Sequence, residues 1–173
     1  LGLAHCKAVA TPAVRYTAAQ EAAKTPLASQ AEITKLRGAL GMELYLAHGW
    51  LEVQFACTEV ARNGKAFSDL DVTRVKRIGR YMATHEPVTS YRVTKDRGGL
   101  VATADSDWAG DLAIRRSTSG GILTWRGCLL LSWARTQRNV SLSSAEAEYC
   151  AMTTALQEGL HARNILIELG YAE

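Results

Sequence analysis

The sequence has few of the features that mark metal-binding, disulfide-linked or membrane proteins. Its four cysteines are scattered with no Cys-x-x-Cys spacing, and none of the four histidines joins them in a ligand pattern. A zinc site is therefore not predicted, and reduced thiols in an intracellular compartment, cytoplasmic or nuclear, are favoured. No apolar run approaches the roughly 20 residues that cross a bilayer, so we expect no membrane partner.

Proline is also scarce, with three residues, and charge of either sign is moderate. Hydrophobic residues make up 47% of the chain, which is typical of a globular rather than a disordered protein. The net charge of +3 permits a polyanionic partner without requiring one. The length of 173 residues suits one domain, or one domain plus a helical appendage. Because the chain begins at Leu1 and ends soon after a helical pattern, we expect a piece of a longer polypeptide.

The first half of the chain is predicted to be a tail followed by helices. Residues 1–30 show no strong hydrophobic period, and we predict a tail or linker there. Ser29 with Glu32 three residues later predicts a capping box at the start of a helix. Residues 31–95 then form the predicted helical segment, with helices from Ser29 to Gly49, from Leu51 to Arg62, and from Ser68 or Asp69 to Pro87.

The third predicted helix carries a basic face, formed by Arg74, Lys76, Arg77 and Arg80. A charged face of this kind is usually solvated. The alternative is that it contacts the phosphates of a nucleic acid. The sequence leaves both interpretations open.

Residues 96–173 have a different pattern, that of a small sheet followed by a helix. Apolar runs at 100–104, 122–125 and 128–133 predict strands, and the glycine of Arg126-Gly127 suits a tight turn between the last two. A long helical pattern follows. The expected fold class is therefore α/β (α+β), with three antiparallel strands packed on one helix.

Two acidic clusters lie at the borders of these elements. Asp105 and Asp107 come at the end of the first strand, and Glu146 and Glu148 come at the start of the last helix. A strand-end aspartate and a helical glutamate together would offer the oxygen ligands that a divalent cation prefers. Asp105 and Asp107 fall on the same side of an extended strand, so alternation does not choose between them. Either or both could instead serve the turn before Gly110.

The two glutamates are predicted to differ in role. Glu146 completes a capping box with Ser143, and we expect its side chain to point toward water. Glu148 shares a helix face with apolar residues, which are Ala145, Met152, Ala155 and Leu156. A carboxylate on a packing face is unfavourable unless a cation compensates it. The alternative is that Glu148 lies close enough to the helix start to reach solvent.

Several short motifs follow one another along the chain. They are DSDWAG at 105–110, RRSTSG at 115–120, SW at 132–133 and SSAEAEY at 143–149. In this order and spacing they resemble the ribonuclease H domain of copia-type retrotransposon Pol polyproteins. The helical part, with LYL at 44–46, QFA at 54–56 and KRIGRY at 76–81, resembles the thumb or connection segment between reverse transcriptase and ribonuclease H. One departure is WLE at 50–52, where that family usually has Arg-Pro-Asp.

The resemblance implies a ribonuclease H-like fold, truncated after its first long helix. It implies that Asp105 and Glu148 are catalytic metal ligands, with Asp107 as a further candidate. Two Mg²⁺ (or Mn²⁺) ions would assist hydrolysis of the RNA strand of an RNA–DNA hybrid. The third and fourth acidic ligands of the family would lie beyond Glu173, so the implied activity of this chain is weak or absent, and its status as an enzyme is left open.

The resemblance also suggests partners. Arg115, Arg116, Arg135 and Arg138 are candidates for phosphate contacts, with solvated side chains as the alternative. The implied partners are an RNA–DNA hybrid and the rest of the polyprotein, including reverse transcriptase. The open edge of the first strand would permit self-association. Two competing hypotheses are an inactive nucleic-acid-binding or structural module, and an unrelated α+β domain that assembles across this edge.

Overall fold

The computed structural model describes residues 3, 5–87, 91, 98–110 and 114–171. The chain forms two compact units, a first unit of Leu1–Thr89 and a second unit of Ser90–Glu173. The domain boundary predicted at residues 95 and 96 lies outside the described residues.

The first unit is helical, as the hydrophobic periods predict. Its helices are α1 (Ala18–Ala22), α2 (Gln30–Leu46), α3 (Leu51–Arg62) and α4 (Asp69–Thr84), with a short 3₁₀ turn at Ala47–Gly49. The three long helices match the three predicted ones. The short α1 lies within the segment that was predicted to be a tail.

The starts of α2 and α4 differ in whether a capping box forms. Ser29 makes no side-chain capping hydrogen bond, so the capping box predicted with Glu32 is wrong. At the start of α4 a reciprocal box does form, because Ser68 Oγ accepts from Asp71 N and Asp71 Oδ2 accepts from Ser68 N at 2.8 Å. The side chain of Asp71 reaches the cap where Glu32 does not, and it is fully buried there.

The core of the first unit lies between the three long helices. Its fully buried centre comes from one side of α3, which contributes Val53, Ala56, Cys57 and Val60 at helical spacing, together with Val75 and Ile78 of α4. Leu36, Ala39 and Leu40 of α2 close it from another side. Burial of these apolar side chains stabilises the unit.

Besides Asp71, a second acidic residue of this unit is buried. Glu43 of α2 is 5% exposed, and neither carboxylate oxygen has a hydrogen-bond partner among the described residues. Burial raises the pKa of Glu43 from 4.5 to about 8, because the charged form loses its hydration. Burial, with a smaller effect from the charge of Glu43, raises the pKa of the Cys57 thiol to about 12.

The second unit is an antiparallel sheet followed by one long helix. The strands are β1 (Leu100–Asp107), β2 (Thr118–Trp125) and β3 (Cys128–Thr136), in spatial order β1-β2-β3, and the helix is α5 (Ser144–Glu168). Both central residues of the β2–β3 turn have positive φ, 51° at Arg126 and 73° at Gly127, as type I′ hairpins require. The predicted fold class is confirmed, and it is compatible with a truncated ribonuclease H-like fold.

The helix α5 packs on the sheet through small residues. Ala147, Ala151 and Ala155 are buried against the sheet, whereas Met152 and Leu156 are 58% and 63% exposed. The predicted packing face that combined Met152 and Leu156 with Glu148 is therefore wrong. Alanines let the helix backbone approach the sheet closely, and the large apolar residues are left on the outer surface.

The strand β1 pairs only with β2 in the part of the chain that the structure describes. Its other edge is therefore unpaired there. Self-association across this edge stays a prediction.

Candidate functional site

Asp105 and Asp107 lie on the exposed face of β1. Along this strand Leu100 and Ala104 pack with the buried sheet and helix residues Leu123, Trp133 and Ala155. Asp105 and Asp107 are exposed and alternate with that set. Successive side chains of a strand point to opposite faces, so both aspartates lie on the face turned away from α5.

Asp107 also contacts the turn that follows β1. Its carboxylate lies against Gly110 and fills the space that a side chain at position 110 would need. Ala109 in this turn has a positive φ of 51°, and its N–H donates to the buried Ser117 Oγ at 3.0 Å. These contacts favour the turn interpretation of Asp107 over a free metal ligand.

The turn is further tied to the segment before α5. Trp108 Nε1 donates to the carbonyl of Ser141 at 3.1 Å. Trp108 and Ser141, which are 33 residues apart in the sequence, therefore meet at one end of the sheet. This end also holds the start of α5.

At the start of α5 the two glutamates have separate environments. Ser143 Oγ accepts from Glu146 N at 3.1 Å, which confirms the Ser143 half of the predicted capping box. Glu146 Oε2 accepts from Leu142 N at 2.7 Å, one residue earlier than a capping box would place that bond. Glu148 is half-buried beside the fully buried Ala147, at the border of the packing face.

Asp105 and Glu148 lie on different elements of the second unit, β1 and α5. Glu148 is on the helix that covers one face of β1, and Asp105 is on the opposite face. Next to Asp105, on the α5 side, Ser106 Oγ is buried without a hydrogen-bond partner among the described residues. Carboxylate oxygens are the right donors for Mg²⁺. Within the described ranges, however, no three Asp, Glu, His or Cys side chains come together as a metal site, so the metal-ligand roles of Asp105 and Glu148 stay predictions.

The four candidate arginines of this unit divide into two groups. Arg135 forms an ion pair with Glu158 at 2.5 Å and lies over the Trp133 ring, 5.9 Å from its centroid. Arg115, Arg116 and Arg138 are exposed, as Arg135 is, and no ion pair is described for them. Arg115 has a positive φ of 55°. Their phosphate contacts stay a prediction.

One residue that organises this end of the unit has no signal in the sequence. Gln137 is buried directly after β3, and its Nε2 donates to Ser119 Oγ at 3.0 Å and to the carbonyl of Ala147 at 2.8 Å. Its Oε1 accepts from Ser141 Oγ at 3.0 Å. A lone glutamine after a strand is typical of a loop, so sequence reasoning missed that it joins β2 to α5.

Proteins that resemble this chain include ones from Arabidopsis thaliana and Plasmopara viticola. Over 138 residues, 79% of this chain, it is 30% identical to the retrovirus-related Pol polyprotein from transposon RE1 of Arabidopsis thaliana. Three of the relatives are retrovirus-related Pol polyproteins of transposons. An uncharacterised mitochondrial protein of Arabidopsis thaliana is 31% identical over 159 residues, 91% of this chain. A secreted RxLR effector protein of Plasmopara viticola is 39% identical over 89 residues, 50% of this chain.

These matches cover only part of each relative. The alignments span 61% of the effector protein, 64% of the mitochondrial protein and 9% of the RE1 Pol polyprotein. No protein-family model and no solved structure matches the chain. None of the helices in the described ranges has the length and apolarity needed to span a membrane.

Proposed function

We propose that this chain is the part of a retrotransposon Pol polyprotein that connects a helical segment to the beginning of a ribonuclease H-type domain. In the complete polyprotein that domain would hydrolyse the RNA strand of an RNA–DNA hybrid. The observation that carries the proposal is the second unit itself, three antiparallel strands and then one long helix, with Asp105 on the first strand and Glu148 in the first turns of the helix.

In this proposal the chain supplies part of a catalytic centre and part of a hybrid-binding surface. Asp105 and Glu148 are two carboxylates of the kind that bind Mg²⁺ or Mn²⁺. The described residues do not complete a metal site around them. We therefore expect weak cleavage or none from this chain alone.

A second candidate function is nucleic-acid binding without catalysis. It is favoured because Asp105 lies on the face of β1 opposite the helix that carries Glu148. It is also favoured by the exposed Arg115, Arg116 and Arg138, which are available to phosphates. On this interpretation the second unit holds a hybrid or stabilises the polyprotein.

The deciding experiment is Mg²⁺- or Mn²⁺-dependent cleavage of a labelled RNA–DNA hybrid, with binding of the same hybrid measured in parallel. The variants are Asp105→Asn and Glu148→Gln, and Glu168→Gln at the exposed far end of α5 is the matched control. Cleavage that is lost in the first two and kept in the control supports the nuclease. Binding without cleavage supports the second candidate, and absence of both contradicts each of them.

The arginines are tested by the salt dependence of hybrid binding. Each arginine that contacts a phosphate contributes about 1 to the slope of log affinity against log salt concentration. Replacing Arg115 and Arg116 by Gln should lower that slope by about 2. An unchanged slope would assign both side chains to the solvated interpretation.

A further inference from the structure

Three of the four basic residues on the basic face of α4 contact the segment that precedes α2, and the fourth, Lys76, is exposed. We call Arg74, Arg77 and Arg80, spaced three residues apart on α4, the arginine row, and residues 7–25 the strap. Each arginine of the row contacts one oxygen acceptor of the strap: Arg80 Nε donates to the Lys7 carbonyl at 2.9 Å, Arg77 Nη2 donates to Thr11 Oγ1 at 3.0 Å, and Arg74 Nη2 pairs with the carboxylate of Glu21.

The strap runs antiparallel to α4. As the numbers of the strap residues rise, those of their partners on α4 fall, and the last contacts reach the first residue of the helix. There Thr25 N donates to Asp69 Oδ1 at 2.9 Å, and Asp69 N donates to the Thr25 carbonyl at 3.0 Å. Pro26 and Ser68 form an isolated β-bridge beside these bonds. One end of the strap is thus held by hydrogen bonds between the Thr25 backbone and Asp69, and the rest is held mainly by arginine side chains.

The packing of the strap is weak. Val9 is its only buried residue, and α1 within it buries none. Because little apolar surface is buried, little hydrophobic stabilisation opposes its release. The described contacts that hold it along α4 are hydrogen bonds, one ion pair and the contact of Arg74 with the Tyr16 ring, 5.0 Å from its centroid. Water or another acceptor can replace the hydrogen bonds and the ion pair.

The strap supplies oxygen acceptors to the arginine row but little negative charge. Glu21 is its one acidic residue, and the strap itself carries Lys7, Arg15 and Lys24. Residues 1–89 have eleven Lys and Arg against eight Asp and Glu, whereas residues 90–173 have nine of each, so the whole net charge of +3 comes from the first unit. In addition, Arg77 Nε is buried with no hydrogen-bond partner among the described residues.

We propose that the strap is an intramolecular competitor for the arginine row, and that the row binds the phosphate backbone of a nucleic acid when the strap is displaced. Phosphate offers the row the same oxygen acceptors that the strap offers, together with the negative charge that the strap lacks. Arginine suits this role because its guanidinium donates in a fixed fork to phosphate oxygens. The row would bind phosphate whether or not the second unit cleaves RNA.

The test measures how tightly the full chain binds a short labelled single-stranded DNA, by fluorescence anisotropy at low and high salt. Glu21→Gln removes the carboxylate that pairs with Arg74 and should tighten binding about fivefold. Glu32→Gln, which removes the same charge from an exposed position on α2, is the matched control and should change affinity by less than about twofold. Arg77→Gln in the Glu21→Gln background should reverse the gain and lower the salt slope by about 1.

Hydrogen exchange separates competition from a purely structural effect. Saturating DNA should speed the exchange of the α1 amides, such as Glu21 N, which is hydrogen-bonded to the Thr17 carbonyl at 3.0 Å. The amides of α3 in the same unit should keep their protection. Equal affinities of Glu21→Gln and Glu32→Gln, or a strap whose exchange does not change when DNA is bound, would overturn the proposal.

Discussion

The indole of Trp133 lies directly across the backbone of Gly121. The two residues are opposite each other on β3 and β2, and the ring fills the space that any side chain at position 121 would need. Trp133 is 5% exposed and belongs to the core between the sheet and α5. Position 121 must therefore be glycine for this core to close.

Gly121→Ala should destabilise the second unit by about 1 to 3 kcal/mol, because the added methyl group forces Trp133 or the strand to move. Gly120→Ala is the matched control, since no atom lies within 4 Å of a side chain built there. Its effect should stay within about 0.5 kcal/mol. The measurement is urea unfolding of both variants, and equal midpoints would contradict the packing role of Gly121.

Glu43 should make the first unit less stable as the pH rises. Its pKa is 4.5 in the unfolded chain and about 8 in the folded one, so between these values the folded state binds the extra proton. The stabilisation is therefore complete below pH 4.5 and is lost as the pH rises to about 8, by about 1.4 kcal/mol for each pH unit.

The measurement is hydrogen exchange of the α3 amides across this pH interval, corrected for intrinsic exchange rates. Glu43→Gln should remove the pH slope and stabilise the unit near pH 8. Glu86→Gln, an exposed carboxylate in the same unit, should leave the slope unchanged. If Glu43→Gln and Glu86→Gln give the same slope, Glu43 is ionised in the folded chain and the prediction fails.

Substitution of Asp71 should destabilise the first unit strongly. Its carboxylate is buried and accepts from Ser68 N, Ser68 Oγ, Asn63 Nδ2 and Arg74 Nη1 at 2.7 to 3.1 Å. Asp71→Ala leaves these donors without their acceptor and should destabilise the unit by about 3 kcal/mol. Asp69→Ala, at an exposed position, should lose only about 1 kcal/mol. Thermal unfolding of both variants is the measurement. Similar losses of stability in the two would contradict the predicted role of the buried hydrogen bonds of Asp71.

Gln137 should matter for the attachment of α5 to the sheet. Gln137→Ala removes the bonds to Ser119, Ala147 and Ser141 and leaves buried polar groups without partners, at a cost of about 2 to 3 kcal/mol. Asn139→Ala, an exposed neighbour whose described contacts are weak ones to the Cys150 sulfur, should change stability by less than about 0.5 kcal/mol. Loss of exchange protection in the first turns of α5 would locate the effect, and full protection there would contradict it.

Much of the secondary structure follows from signals that act over a few residues. The hydrophobic periodicity of α3 and α4, the Ser143 cap and the turn at Arg126-Gly127 are all local, and each agrees with its sequence-based prediction. These signals hold because helix periodicity, capping and turn geometry depend on residues within about one turn of each other.

What the sequence alone could not decide is which groups meet across long separations. Met152 and Ala151 are both apolar, and only contact with the sheet selects the alanine side of α5 for burial. The partner of Arg77 is 66 residues away, so the periodicity of α4 gave no indication that the strap would contact its basic face. The sequence by itself determined the elements and the candidate residues. The tertiary structure decided which faces are covered, because burial and pairing depend on distant segments that only folding brings together.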